Sequence, residues 1–228
     1  MTKRNTFILS IFVSFLFFLT ACGSAQSRTT TSNTQEIPTE NTNSNGLKRG
    51  IWDGNVYTNE WLGVRFFMPD NWVIATDEEI ADLLGVASDI LPVLGKDIPA
   101  DFWEIAGVTT MHDMLVSEAE TGNSVQIIFE RLVFPNTQMT VEDLMESMMG
   151  FLQEVGINAY INPGTTQIGG YNWHSLNTEL DVSGTIIYGR QFYSIRDNFA
   201  RTIVITYSND AQLEDFLSMF ADSNSPIT

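Results

Sequence analysis

With 228 residues, 43% of them hydrophobic, and 11 Lys and Arg against 28 Asp and Glu, the chain has a formal charge of −17 and room for a substantial core. A surface this acidic repels nucleic acid and anionic lipid headgroups, which require clustered Lys and Arg, so no nucleic-acid partner is expected. It is compatible with divalent cations, basic peptides or cationic surface polymers, or with nothing more than a well-solvated exterior.

Lys3 and Arg4 precede an apolar run from Phe7 to Leu19 that only Ser10 and Ser14 interrupt, and Leu19-Thr20-Ala21-Cys22 closes it. A positive start, a short apolar stretch and small residues make an export signal. As a helix, Phe7 to Leu19 would span about 20 Å of a bilayer core about 30 Å thick, too little for a transmembrane segment. The last four residues resemble the lipobox of bacterial lipoproteins. That resemblance implies diacylglyceryl transfer to the Cys22 thiol and cleavage after Ala21, with Cys22 as the lipidated first residue. A plain signal peptide cut elsewhere is the rival reading, since Ala21 would also suit ordinary signal peptidase. A single cysteine favours lipidation, since an exported free thiol without a disulfide partner is a liability that acylation removes. Two acyl chains on one residue suffice for stable anchoring at the extracytoplasmic face of the cell membrane. Losing residues 1–21 removes Lys3 and Arg4 and no acid, so the mature chain is more acidic still.

Residues 22–49 read as the lipidated cysteine and a Ser/Thr/Asn-rich stalk. Ser24 to Gln35 is nearly free of apolar side chains and cannot bury enough surface to offset its ordering entropy, so it is expected to be disordered. Random-coil scaling puts the domain roughly 30 Å from the anchor. Residues 50–228 form a single domain without an internal linker or repeat.

The spacing predicts short strands at Val56–Asn59, Leu62–Met68 and Trp72–Ile74, with Pro69-Asp70-Asn71 as a turn. Thr76 and Glu79 make a capping box for a helix to about Leu91, and Lys96 to Glu104 is an acidic loop. A hairpin follows, Thr109–Ala119 and Val125–Val133 around Glu120–Ser124. Thr140 and Asp143 cap the strongest helix, whose stripe runs Val141, Leu144, Met145, Met148, Met149, Leu152 and Val155 to a stop at Gly156. Its methionines suit core packing, or alternatively an adaptable peptide groove. Weak strands at Ile157–Asn162 and Thr165–Ile168 lead into a meander of Tyr171–Leu180, Thr185–Tyr193 and Ala200–Tyr207. A last helix from Asn209 buries Leu213, Phe216, Leu217 and Phe220. Short turns require antiparallel neighbours, and amphipathic helices must cover a sheet face. The expectation is an α+β fold, an antiparallel β-sheet of five to seven strands covered by amphipathic helices.

Trp52, then Tyr57-Thr-Asn-Glu-Trp-Leu-Gly63, Phe66, Pro69-Asp-Asn-Trp72 and Thr76-Asp-Glu-Glu-Ile80, resembles a group of uncharacterised lipoproteins of low-GC Gram-positive bacteria. Thr202-Ile-Val-Ile-Thr-Tyr-Ser208 running into a short helix is similar as well. More remotely, the strand–Pro-x-x-Trp–helix opening resembles the PsbP/Mog1-like fold. The motifs are structural positions rather than chemistry, so the resemblance implies a fold and not an activity.

Nucleophile-elbow, zinc-protease and phosphate-loop motifs are absent, and Asp97-Ile-Pro-Ala-Asp101 lacks EF-hand spacing. No cofactor or metal is expected. His112-Asp113 sits on a strand, where neighbouring side chains face opposite ways, which argues against a dyad. Trp52, Tyr57, Trp61 and Trp72 crowd the start of the domain; they either close the sheet edge where the stalk arrives or form an aromatic recognition patch. Three functions stay open: a non-enzymatic module binding an envelope protein or polymer, a small-molecule or divalent-cation accessory, and a hydrolase without a recognised motif.

Overall fold

The computed structural model describes residues 47–76, 78–80, 110–132, 139–154, 156–182 and 184–224. The expected helix beyond Ile80, the acidic loop 96–104, and the export signal and stalk up to residue 46 lie outside them.

Among the described residues, two antiparallel sheets face each other. The smaller has the order β1-β2-β3-β12, from Ile51–Asp53 (β1), Val56–Asn59 (β2), Val64–Phe67 (β3) and Phe220–Asp222 (β12). The larger begins with Trp72–Ile74 (β4), Thr110–Glu118 (β5) and Ser124–Arg131 (β6), and gains Asn158–Ile161 (β7), Tyr171–Val182 (β9), Thr185–Arg196 (β10) and Phe199–Tyr207 (β11). Its order is β4-β5-β6-β11-β10-β9-β7, with Thr166–Ile168 (β8) also pairing with β9. The described residues also form helices Val141–Glu154 (α1) and Leu213–Ser218 (α2), α2 preceded by a 3-10 turn at Asp210–Gln212.

Local chemistry accounts for most of these boundaries. Both capping boxes form: Glu79 N–H donates to Thr76 Oγ1 at 3.2 Å, and Asp143 N–H to Thr140 Oγ1 at 3.1 Å. The return bond, Thr140 N–H to the Asp143 carboxylate at 3.0 Å, holds that carboxyl below its ordinary pKa. Thr140→Ala should destabilise the protein by about 1 kcal/mol in urea unfolding, the usual value of a lost cap. Asp197 and Asn198 both adopt positive φ, 51° and 66°, as a two-residue type I′ turn requires, and join β10 to β11. Gly156 stops α1 at φ 86°.

The two faces of the large sheet bury different things. One carries Ile128, Leu176, Tyr193, Ala200 and Val204 against Leu144, Met145, Met148 and Leu152 of α1. The methionines of this stripe are therefore core: Met145 and Met148 are buried, and Met139 and Met149 pack against the same cluster. The other face, through Ile127, Phe129, Trp173, Phe192, Ile203 and Ile205, packs on Tyr57, Leu62, Val64 and Phe66 from the smaller sheet and its loop. The architecture is α+β and antiparallel, as the sequence predicts. The expected single sheet is two, one of four strands and one of eight. Among the described residues, a long helix covers one face and a sheet covers the other. Phe220 is not helical, because α2 ends at Ser218 and the chain pairs with β3, Phe220 opposite Phe66.

Candidate functional site

Residues 48–50, at the start of the described chain, meet the rest of the domain around one carboxylate. In β2, alternate residues turn inward, so Tyr57 and Asn59 are buried. In β5 a bulge between His112 and Met114 leaves Asp113 without a strand partner and frees it from the regular alternation. Its fully buried carboxylate accepts hydrogen bonds from the Tyr57 hydroxyl, from Asn59 Nδ2 at 2.7 Å and from the Gly50 amide at 3.0 Å. Arg49 Nε lies 3.8 Å away, and its Nη2 donates to the His112 carbonyl at 2.8 Å. Burial and then the Asp113 charge drive the Tyr57 hydroxyl far above its ordinary pKa, so it remains a donor. Gly50 is obligatory here, since a Cβ would lie 2.2 Å from the Tyr57 ring. Residues 48–50 are thus latched to the domain, with the Lys48 carbonyl also accepting from Asn59 Nδ2 at 3.2 Å.

The four aromatic residues singled out in the sequence take separate positions. Trp52 keeps partial exposure and lies 5.4 Å from Tyr57, ring to ring. Trp72 is buried between Phe66 and Phe216. Trp61, 8% exposed, meets Phe129 and Phe199 edge-on at 5.1 and 6.0 Å. Trp61 also lines an open cleft of about 370 Å³ with Lys48, Arg49, Ile51, Thr58 and Glu60. Two basic side chains and the highly exposed Ile51 (73%) stand there on an otherwise acidic chain. Behind the cleft, Arg196 Nη1 donates to the Trp61 carbonyl at 2.8 Å and to the Tyr171 hydroxyl at 3.1 Å. Gly63, at φ 75°, lets the β2–β3 loop approach Tyr171, whose ring a Cβ would meet at 2.2 Å.

The two histidines belong elsewhere. His112 and Asp113 do face apart: His112 Nδ1 is 2.8 Å from Gln126 Nε2, on the sheet face opposite the latch. His174 faces Glu142 of α1 at 3.5 Å. Among the described residues, no three His, Cys, Asp or Glu side chains group to hold a metal.

His112 and Glu130 make stability depend on pH in opposite senses. Burial, with the Arg49 charge second, lowers the His112 pKa from 6.5 to about 4, so its contribution is complete above 6.5 and lost as pH falls toward 4. Burial raises Glu130 from 4.5 to about 7, so its contribution is complete below 4.5 and lost as pH rises toward 7. Between pH 4.5 and 6.5 the slopes oppose each other. Glu130→Gln should leave stability rising with pH across that window, and His112→Gln should leave it falling, both read from urea midpoints.

Sequence reasoning did not find Asp113 as a latch, nor Lys48, Arg49 and Arg196 around Trp61. The one available signal was a carboxylate in the middle of a strand, which a bulge turned toward the small sheet.

No protein-family model matches the chain, and no curated protein does. Solved structures are similar at low identity, two of them as follows. One is cyanobacterial PsbP (CyanoP) from Synechocystis, with 12% identity, a TM-score of 0.44, and coverage of 82% of this chain and 99% of that one. The other is LpqN, described as involved in cell envelope biogenesis, from Mycobacterium tuberculosis, with 8% identity, a TM-score of 0.35, and coverage of 68% and 76%. Among the described residues, no helix is long and apolar enough to cross a membrane. What is established is the antiparallel α+β fold.

Proposed function

We propose that this chain is a lipid-anchored, extracytoplasmic, non-enzymatic binding module, held to the cell membrane through Cys22 and recognising an envelope protein or polymer. The observation that carries this reading is the cleft at Trp61. It combines Lys48, Arg49, an exposed Ile51 and an indole, beside the residues that lead back toward the anchor. Basic and aromatic groups of this kind supply most of the energy at recognition surfaces. Of the buried ionisable groups, Asp113 receives its donors from the latch, and His112, on the opposite sheet face, pairs with Gln126. That arrangement suits a rigid holder better than proton transfer.

Anchoring has a direct test. In cells fed a labelled fatty acid, the wild-type protein should carry the label and sediment with membranes. Cys22→Ser should lose both while its domain still unfolds cooperatively in urea, because the latch begins only at Lys48 in the sequence. A wild-type protein that never acquires label contradicts the anchor.

A further inference from the structure

The register of β10 on β11 places Ser194 directly opposite Arg201, on the face that packs against the small sheet. Arg201 is only 4% exposed. Its guanidinium carbon nevertheless lies among rings rather than carboxylates, 4.9 Å from the centre of Tyr171, 5.3 Å from Trp173 and 5.7 Å from Trp61. Aromatic faces attract a cation but accept N–H bonds poorly. Four buried polar atoms at this corner have no hydrogen-bond partner: Arg201 Nε and Nη1, Trp61 Nε1 and Ser194 Oγ. The first three can only donate. Nearby stands a second guanidinium, Arg196, 5.6 Å from the same Trp61 ring, whose Nε lies 3.2 Å from the half-exposed Asp197. Burial and the Arg196 charge together lower the Arg201 pKa to about 10. A corner with two guanidinium charges, one exposed carboxylate and a surplus of donors lacks an acceptor, and an anionic one would supply both what the N–H groups need and what the charge needs.

We propose that Arg201, Trp61 Nε1 and Ser194 Oγ form an oxyanion subsite that receives a phosphate or carboxylate group of the ligand, with Arg196 at its rim. This rests on the reading of the chain as a binding module and specifies the chemistry it recognises. The planar guanidinium fork matches both oxyanions, whereas a water molecule would satisfy an N–H and leave the charge. The acidic remainder of the chain disfavours long polyanions and leaves a small or terminal anionic group as the better fit.

The full-length protein, in detergent and labelled with fluorotryptophan, provides the test, since its five tryptophans give resolvable fluorine resonances. Trp61→Phe assigns the Trp61 signal. At constant ionic strength, inorganic phosphate and acetate are titrated separately, with chloride as the control. The Trp61 resonance should shift saturably with phosphate or acetate and not with chloride, and the oxyanion that saturates first identifies the class. Arg201→Gln should raise the half-saturating concentration by about tenfold or more, as loss of a charge-assisted donor pair does. Should Arg201→Gln fail to fold, Ser194→Ala and the half-exposed Arg196→Gln take its place, and each must weaken binding. A shift that never saturates, that chloride reproduces, or that these variants leave unchanged overturns the subsite. Fatty-acid labelling of the same preparation separates the two claims: labelled protein without anion binding removes the subsite alone, and anion binding without label removes the anchor alone.

Discussion

Asp113→Ala is expected to cost about 3–5 kcal/mol of unfolding free energy, the scale on which a buried charged network fails when one partner is removed. The carboxylate is fully buried, and alanine would strand the Tyr57 hydroxyl, the Asn59 amide and the Gly50 N–H together. Each stranded donor pays a desolvation penalty that its hydrogen bond had offset. Asp113→Asn should fall between wild type and alanine, because one carbonyl oxygen still accepts while the new NH₂ opposes donors. Tyr57→Phe should cost about 1.5–3 kcal/mol, the usual value of a hydrogen bond to a charged group. Urea unfolding at neutral pH measures all three. An Asp113→Ala variant within about 1 kcal/mol of wild type, well inside the range of ordinary substitutions, would mean that the latch carries little energy.

The second large effect belongs to Trp173. It is completely buried between the two sheets, its Nε1 donates to the Ile168 carbonyl at 3.1 Å, and the Arg201 guanidinium stacks on its ring. Trp173→Ala should cost about 3–5 kcal/mol through lost transfer energy and the cavity left behind. Trp72→Ala should approach this, since Phe66 and Phe216 flank its ring. Trp61→Ala should cost less than Trp173→Ala, because one side of Trp61 borders the open cleft instead of core. If Trp61→Ala proves the most destabilising of the three, that ring is core rather than part of a recognition surface.

Local signals made much of the fold legible. Thr140 with Asp143, and Thr76 with Glu79, announce helix starts because a capping box needs only four consecutive residues. Val125, Ile127 and Phe129 announce a strand because its period is two. Even Ile157–Ile168, a weakly patterned stretch, forms the two strands expected of it, β7 and β8. The smaller sheet was harder. Ile51–Asp53 and Phe220–Asp222 are three residues each, too short to show alternation. The pairing of Phe220 with Phe66 exists only once the chain has folded. The site depends still more on tertiary structure. Asp113 meets Tyr57 across 56 positions, and Arg196 meets Trp61 across 135. Spacing within a motif cannot express either contact.

The most direct measurement places a photocrosslinking residue in the cleft of the intact protein in its own cells. Thr58 lines the cleft, and Glu146, exposed on α1, serves as the control position. Both variants should reach the membrane in equal amounts. The account predicts a discrete, competable adduct to an envelope protein or polymer from position 58, absent from position 146. No adduct at 58, or the same adducts from both positions, would contradict recognition at the Trp61 cleft.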